Sequence, residues 1–322
     1  MRAVVAAEIH LDDPLRGLRV VDIEPPLVPD GWVAVDVRAA ALNHHDLWSL
    51  RGVGLTEDRL PMVLGSDAAG TDATGNRVLV HAVIGDPGAG DETLDPERSL
   101  LSERYPGTLA GQVRVPAGNL VALPDELSFE EAACLPTAWL TAYRMLTRDS
   151  GLPAGGGGTV LVQGAGGGVS SAATHLAVAL GHTVYVTSRS EALRARVLAA
   201  GAEAALASGE RLPVKVDCVI ESVGEATWGH SLRSLRPGGT VVVCGATSGP
   251  NPPAELNRVF FLQLRVIGST MGSRAELEAL VALVARTGLH PPIEAVHPLD
   301  DAPAAFARLA DGDVDGKVLL TP

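Results

Sequence analysis

Aromatic side chains are nearly missing from this sequence: Phe, Tyr and Trp make up 3% of its 322 residues. A core filled by large rings is therefore excluded, and Val, Leu and Ala must do the packing, with hydrophobic residues at 46% supplying the material. Cysteine is scarce as well. Cys134, Cys218 and Cys244 are scattered and odd in number, which argues against a disulfide framework and predicts a reduced, cytoplasmic setting. Basic residues are outnumbered 25 to 38, leaving a formal net charge of −13. No nucleic-acid partner is expected, because such binding rests on basic patches against phosphates. No apolar run approaches the ~20 residues that cross a bilayer. Residues 1–7, closed by Glu8, suit an opening strand better than an export signal, so no membrane partner is expected either.

Glycine and proline, by contrast, are plentiful, at 36 and 22, as an alternating strand–helix protein with many tight turns requires. The length predicts two domains. Up to about residue 121 the chain reads as short strands, at 2–6, 32–40, 77–83 and 112–115, broken by proline and aspartate clusters. From Ser128 the texture changes. Ser128 and Glu131 have the spacing of a capping box, opening a helix that runs over 132–146. Valine-rich runs follow at 159–163, 183–187, 216–220, 240–244 and 265–268. Helical segments at 170–180 and 191–200 separate the first of them, with Gly181 and Gly201 as C-terminal stops. Strands apolar on both faces belong to a parallel sheet covered by helices on both sides. The fold class expected is α/β, with a β-rich domain and a doubly wound parallel-sheet domain. Helices at 274–289 and 302–309 and a strand at 317–320 close the chain.

The sharpest local signal is the strand 159–163 running into Gly164, Ala165, Gly166, Gly167, Gly168 and Val169, then into a small-residue helix. Glycines there let backbone approach a pyrophosphate, and the helix N-terminus offers free N–H donors and a favourable dipole. The strict G-x-G-x-x-G spacing is not kept, because Ser170 and Ser171 stand where a third glycine would fall. The end of the next strand selects the dinucleotide. An NAD site places an acid there to bond the ribose hydroxyls. Here Ser188, Arg189 and Ser190 stand at that point, and Arg189 can pair with a 2′-phosphate, so NADP(H) is the expected cofactor. Glu191, one place later, reads as the first residue of the helix.

Several segments together resemble one family. They are Ala41-Leu42-Asn43-His44-His45-Asp46-Leu47-Trp48, Leu64-Gly65-Ser66-Asp67-Ala68-Ala69-Gly70 and the run from Ala132 to Tyr143, followed by the glycine turn. Leu235-Arg236-Pro237-Gly238-Gly239, Gly268-Ser269-Thr270 and Gly316-Lys317-Val318 continue the match over nearly the whole chain. In this order they resemble the medium-chain dehydrogenases/reductases, and in particular their zinc-free, quinone oxidoreductase-like branch. The resemblance implies a GroES-like substrate domain made of residues 1–121 and 295–322. It implies a Rossmann domain over 122–294, an active site between the two, and a homodimer joined through sheet edges, for which the apolar stretch 260–268 would serve.

Zinc-dependent members hold a catalytic metal on a Cys, a His and a distant Cys. The matching positions here are Asn43, Ser66 and Thr137, none of them a usual zinc ligand, so no metal is expected. His44 and His45, read as neighbours on an extended segment, would point to opposite sides. The reaction implied is hydride transfer from NADPH to a small-molecule quinone or other enone, in which the protein positions the partners and stabilises developing oxyanion charge. Asn43 is the first choice for a donor to the substrate carbonyl, with Asp46, Asp67 and the proton-delivering His45 beside it. Thr141 resembles a family position at the nicotinamide end and Lys317 one near the cofactor phosphates; Ser188 and Arg189 at the end of the second strand, with Val223, Gly224, Cys244, Gly245, Ala246 and Ser269 at the carboxyl ends of later strands, complete the expected cofactor set. Cys244 has no paired base and is not read as a nucleophile. Two alternatives stay open: a zinc-type alcohol dehydrogenase, whose members Trp228 and Thr270–Met271 also resemble, and a catalytically silent NADPH-binding protein.

Overall fold

The computed structural model describes residues 1–322 except Pro87, Ala89 and Asp313. The chain divides into two compact units, one of residues 1–140 with 271–322 and one of residues 141–270. The texture of the sequence changes near 121 instead, and the resemblance implies a second boundary near 294. A change of texture registers a change of secondary structure, not which core a helix packs on.

The first unit is built on a seven-stranded sheet. Its centre is the strand Trp32–Ala41, which pairs antiparallel with Asp67–Asp72, with Gln112–Pro116 and with the last strand, Lys317–Thr321. Alternation along Val33, Val35 and Val37 sends one face inward, where Val35 and Val37 join Leu42, Leu50, Leu64, Leu109, Phe306 and Leu320 in one core. The return of the C-terminus to this sheet matters most. Leu319 lies opposite Ala41, and Leu42 donates to the Val318 carbonyl. One further step along that ladder sets Lys317 beside Asn43. On the other side of the central strand, Ala41 lies opposite Asp67. Three strand ends therefore bring Asn43, Asp67 and Lys317 to one point.

The second unit is a six-stranded sheet, parallel throughout, with spatial order Ala204–Leu206, Thr183–Thr187, Thr159–Gln163, Val216–Glu221, Leu235–Val243, Arg265–Gly268. In order of appearance this is 3-2-1-4-5-6, the doubly wound dinucleotide arrangement, whose ligand site lies at the carboxyl ends where the order reverses. The reversal falls between Thr159–Gln163 and Val216–Glu221. Among the described residues no helix is long and apolar enough to cross a membrane.

Two local expectations need correction. His44 and His45 are not on an extended segment but open the helix His44–Leu50, whose N-cap is Asn43. The segment 132–146 is helical but not uniformly α: π turns at Leu135–Trp139 and Met145–Asp149 interrupt it. Pro136 has no N–H to give to the Ala132 carbonyl, so the regular ladder cannot pass it.

Candidate active site

At the meeting of the three strand ends, Asn43, Asp46, Asp67 and Lys317 are all buried. Asp46 is spent on structure. Its Oδ2 accepts the Asn43 N–H at 2.8 Å and its Oδ1 the Gly65 N–H at 2.9 Å, which caps the helix His44–Leu50 and ties it to the turn before Asp67. Burial raises its pKa above the ordinary carboxylate range. A catalytic role for Asp46 is thus replaced by a capping one, and the spacing Asn43-x-x-Asp46 was the signal for it.

Lys317 also departs from expectation. Its ammonium is 2% exposed, and it donates to the Leu42 carbonyl at 2.7 Å, to Asn43 Oδ1 at 2.5 Å and to Asp67 Oδ2 at 3.2 Å. An ammonium has three donors, and all three are committed, so none remains for a cofactor phosphate. Its position inside the sheet decides this.

The orientation of Asn43 follows from its neighbours. Lys317 can only donate and an ionised Asp67 can only accept, so Oδ1 must face the first and Nδ2 the second. Nδ2 donates to Asp67 Oδ2 at 2.8 Å, and its other proton is directed between Ser66 Oγ at 3.3 Å and the Ala41 carbonyl at 3.4 Å. Asn43 was expected to present this amide to a substrate carbonyl; the amide is instead engaged within the chain. Ser66 Oγ lies 3.0 Å from Thr137 Oγ1, so the three positions that match metal ligands in relatives do come together. Their donor set is an amide and two hydroxyls with an ammonium 2.5 Å from the amide oxygen, which is unsuited to a divalent cation. Among the described residues no group of three or more His, Cys, Asp or Glu is placed to hold a metal.

Next to this network, His45 Nε2 lies 3.2 Å from Glu103 Oε1, while its Nδ1 is buried with no hydrogen-bond partner. Burial disfavours the imidazolium, but the hydrogen bond to Glu103 and the charges of Asp46, Glu103 and Asp67 outweigh it, and the pKa is raised above 6.5. Glu103 carries no sequence signal for this role, because it comes from an irregular stretch 58 residues away.

In the second unit, the glycine turn leads into the helix Gly168–Ala179. The N–H groups of Gly168, Val169 and Ser170 precede the first bond of that helix, which Ser171 makes to the Gly167 carbonyl. Gly164 sits at φ +85°, a left-handed conformation that glycine tolerates. A Cβ on Gly167 would meet nothing within 4 Å. Ser170, buried, donates to the Gln163 carbonyl at 3.1 Å, and so packs the helix onto the strand as a third glycine would. These features fit a dinucleotide's pyrophosphate.

Ser188, Ser190 and Arg189 stand at the end of the strand Thr183–Thr187. Ser190 caps the helix Glu191–Ala199, which does begin at Glu191. Arg189 is exposed and its guanidinium makes no bond among the described residues. Arg194 donates to the Ser188 carbonyl at 2.7 Å and so shapes the turn. Val223 and Gly224 are held from below. The buried Glu221 accepts their N–H groups at 2.8 and 3.0 Å, the Thr227 hydroxyl at 2.9 Å and the Ser231 hydroxyl at 2.6 Å. These two residues can therefore shape a ligand site but have no N–H left to donate. Cys244, Gly245 and Ala246 follow the strand Leu235–Val243, and burial pushes the Cys244 thiol up to about 12, which rules out a thiolate near neutral pH. Ser269 Oγ is buried without a partner just after the strand Arg265–Gly268, and Thr141 is buried in the helix Leu140–Arg144.

Two family models match the chain. Residues 29–125 match the alcohol dehydrogenase GroES-like domain, and residues 168–286 match the zinc-binding dehydrogenase model. A crotonyl-CoA reductase of Streptomyces avermitilis is 29% identical over 95% of this chain and 82% of its own length. An acryloyl-coenzyme A reductase of Metallosphaera sedula is 28% identical over 95% of this chain and 97% of its own. A solved NAD-dependent alcohol dehydrogenase is 32% identical, with a TM-score of 0.92 and all of both chains covered. With its parallel-sheet unit, its β-rich unit and these relatives, the chain belongs to the medium-chain dehydrogenase/reductase superfamily of oxidoreductases.

Proposed function

We propose that this protein is a zinc-free, NADPH-dependent reductase of α,β-unsaturated carbonyl compounds, and that enoyl thioesters of the crotonyl-CoA and acryloyl-CoA kind suit it better than quinones. The observation that carries the reading is the hydrogen-bonded set Asn43, Ser66 and Thr137 standing where a metal would be ligated. A conjugated alkene is already electron-poor at its β-carbon, so its reduction needs hydrogen bonds to the carbonyl oxygen rather than a Lewis acid. The names of the two reductase relatives support the substrate class.

When bound, NADPH supplies a hydride for the β-carbon. The protein's part is to hold its pyrophosphate on the N–H groups of residues 168–170 and its 2′-phosphate against Arg189, and to supply a proton for the α-carbon. His45, protonated through its partnership with Glu103, is the donor in this reading. The exposed Phe260 and Phe261 and the edge strand Arg265–Gly268 would join two copies as a homodimer.

The test is NADPH oxidation with crotonyl-CoA, acryloyl-CoA, a benzoquinone and a simple aldehyde. Turnover of the enoyl thioesters well above the others is expected. Zinc-dependent alcohol oxidation with NAD would reverse the assignment; the solved relative is named an NAD-dependent alcohol dehydrogenase. Arg189→Ala is expected to raise the KM for NADPH by about 10- to 100-fold, the value of one charge-assisted contact, and to leave that for NADH unchanged. Equal effects on both would remove Arg189 from the phosphate site. The pH profile gives an independent check. Because the protonated His45 acts, kcat should be level at low pH and fall as pH rises through a value above 6.5. Glu103→Gln removes the carboxylate that raises this pKa, so the limb should move to lower pH; a stationary limb would exclude the pair.

A further inference from the structure

Resting on that reading, we infer that the Thr137 hydroxyl is the group that touches the substrate's carbonyl oxygen, at the end of a one-way hydrogen-bond relay that starts at Lys317. The direction of the relay is set by what each member can do. Lys317 donates to Asn43 Oδ1, and Asn43 Nδ2 reaches Ser66 Oγ at 3.3 Å, so Ser66 accepts on that side. Ser66 and Thr137 share a hydrogen bond of 3.0 Å in which either oxygen could donate. Were Thr137 the donor, the Ser66 proton would have no acceptor, and Ser66 is 1% exposed. A buried hydroxyl proton without a partner costs about 1–3 kcal/mol, so Ser66 donates to Thr137. The Thr137 proton is then left over. Of the four relay residues Thr137 alone is partly exposed, lying in the π turn Leu135–Trp139, and its proton is available to a bound molecule.

Each bond in such a chain polarises the next, and the ammonium at its head makes every donor downstream stronger. In the reaction, hydride from NADPH forms the new C–H bond at the β-carbon. The alkene pair moves to join the α-carbon to the carbonyl carbon, and the carbonyl pair moves onto oxygen. The Thr137 O–H bond stays intact while its hydrogen bond shortens onto that oxygen. The enolate then collapses as the α-carbon takes one proton, restoring the carbonyl. Ser66 and Asn43 act through Thr137 and are positioning residues.

Thr137→Val keeps the shape and β-branching of the side chain and removes only the donor. It is expected to lower kcat for crotonyl-CoA reduction by about 100- to 1000-fold, the usual effect of losing one oxyanion donor. NADPH affinity, measured by fluorescence titration, should stay within about twofold. Thr137→Ser should restore kcat to within about tenfold of wild type. Adding Ser66→Ala to Thr137→Val should cost nothing further, because a relay without its terminus has nothing to transmit. If Thr137→Val does not fold, Thr137→Ala against Thr137→Ser makes the same comparison at nearly equal bulk. Wild-type turnover with an unaffected Thr137→Val, or equal losses in the Ala and Ser variants, overturns the relay and leaves the reductase reading standing. A wild-type enzyme inert toward every enone with NADPH overturns both.

Discussion

Gly167→Val is expected to weaken NADPH binding by on the order of 100-fold, about 2.7 kcal/mol, while leaving the melting temperature nearly unchanged. The two halves of this expectation rest on different facts. Gly167 has φ −63° and ψ 154°, a conformation open to any residue, and its Cβ would meet nothing within 4 Å. The folded chain therefore tolerates the side chain. The same open space, directly before the free N–H groups of the helix Gly168–Ala179, is where a pyrophosphate must approach backbone. Gly164→Val is the contrasting control. At φ +85° a β-branched residue is strained whatever the space, so that variant should lose stability as well. Isothermal titration with NADPH beside thermal denaturation separates the cases, and a Gly167→Val protein with wild-type affinity would move the pyrophosphate elsewhere.

The second large effect is on stability. Lys317→Met should destabilise the protein by about 3–5 kcal/mol, read as a shift of the urea midpoint. Lys317 and Asp67 are 2% and 0% exposed, so removing the ammonium strands a carboxylate with no water to solvate it. Methionine fills the same volume, so packing alone would predict a small loss. Adding Asp67→Asn removes the stranded charge and should recover part of the deficit, a coupling of about 1–3 kcal/mol in a double-mutant cycle. A loss below about 1 kcal/mol for Lys317→Met would mean that this pair does not hold the site together.

The parallel-sheet unit was the more legible of the two. Strands at 159–163, 183–187 and 265–268 match the observed bounds residue for residue; the first two are buried on both faces and so read as unbroken apolar runs, while the third is an exposed edge strand of the same sheet. The β-rich unit gave weaker signals. Strands Leu18–Asp22, Asp67–Asp72 and Ile293–Pro298 carry little periodicity: the second is short and made of small and acidic residues, and the other two are largely exposed or half-buried on both faces. The capping box at Ser128 and Glu131 was readable, and the structure forms both of its bonds. The analogous spacing at Asn43 and Asp46 reads equally as a cap or as a site group, and in the structure Asp46 accepts the Asn43 N–H as a cap does.

By itself, the sequence determined the doubly wound unit, the glycine turn and the basic residue at the end of the second strand. Each is a local pattern whose meaning depends on residues within one strand–turn–helix unit. Only the tertiary structure decided which groups Lys317, Glu103 and Thr137 meet. Lys317 meets Asn43 across 274 residues of chain, and Thr137 meets Ser66 across 71. Such partners are chosen by strand register and by which groups a buried donor can still reach, and neither quantity is written in any window of the chain.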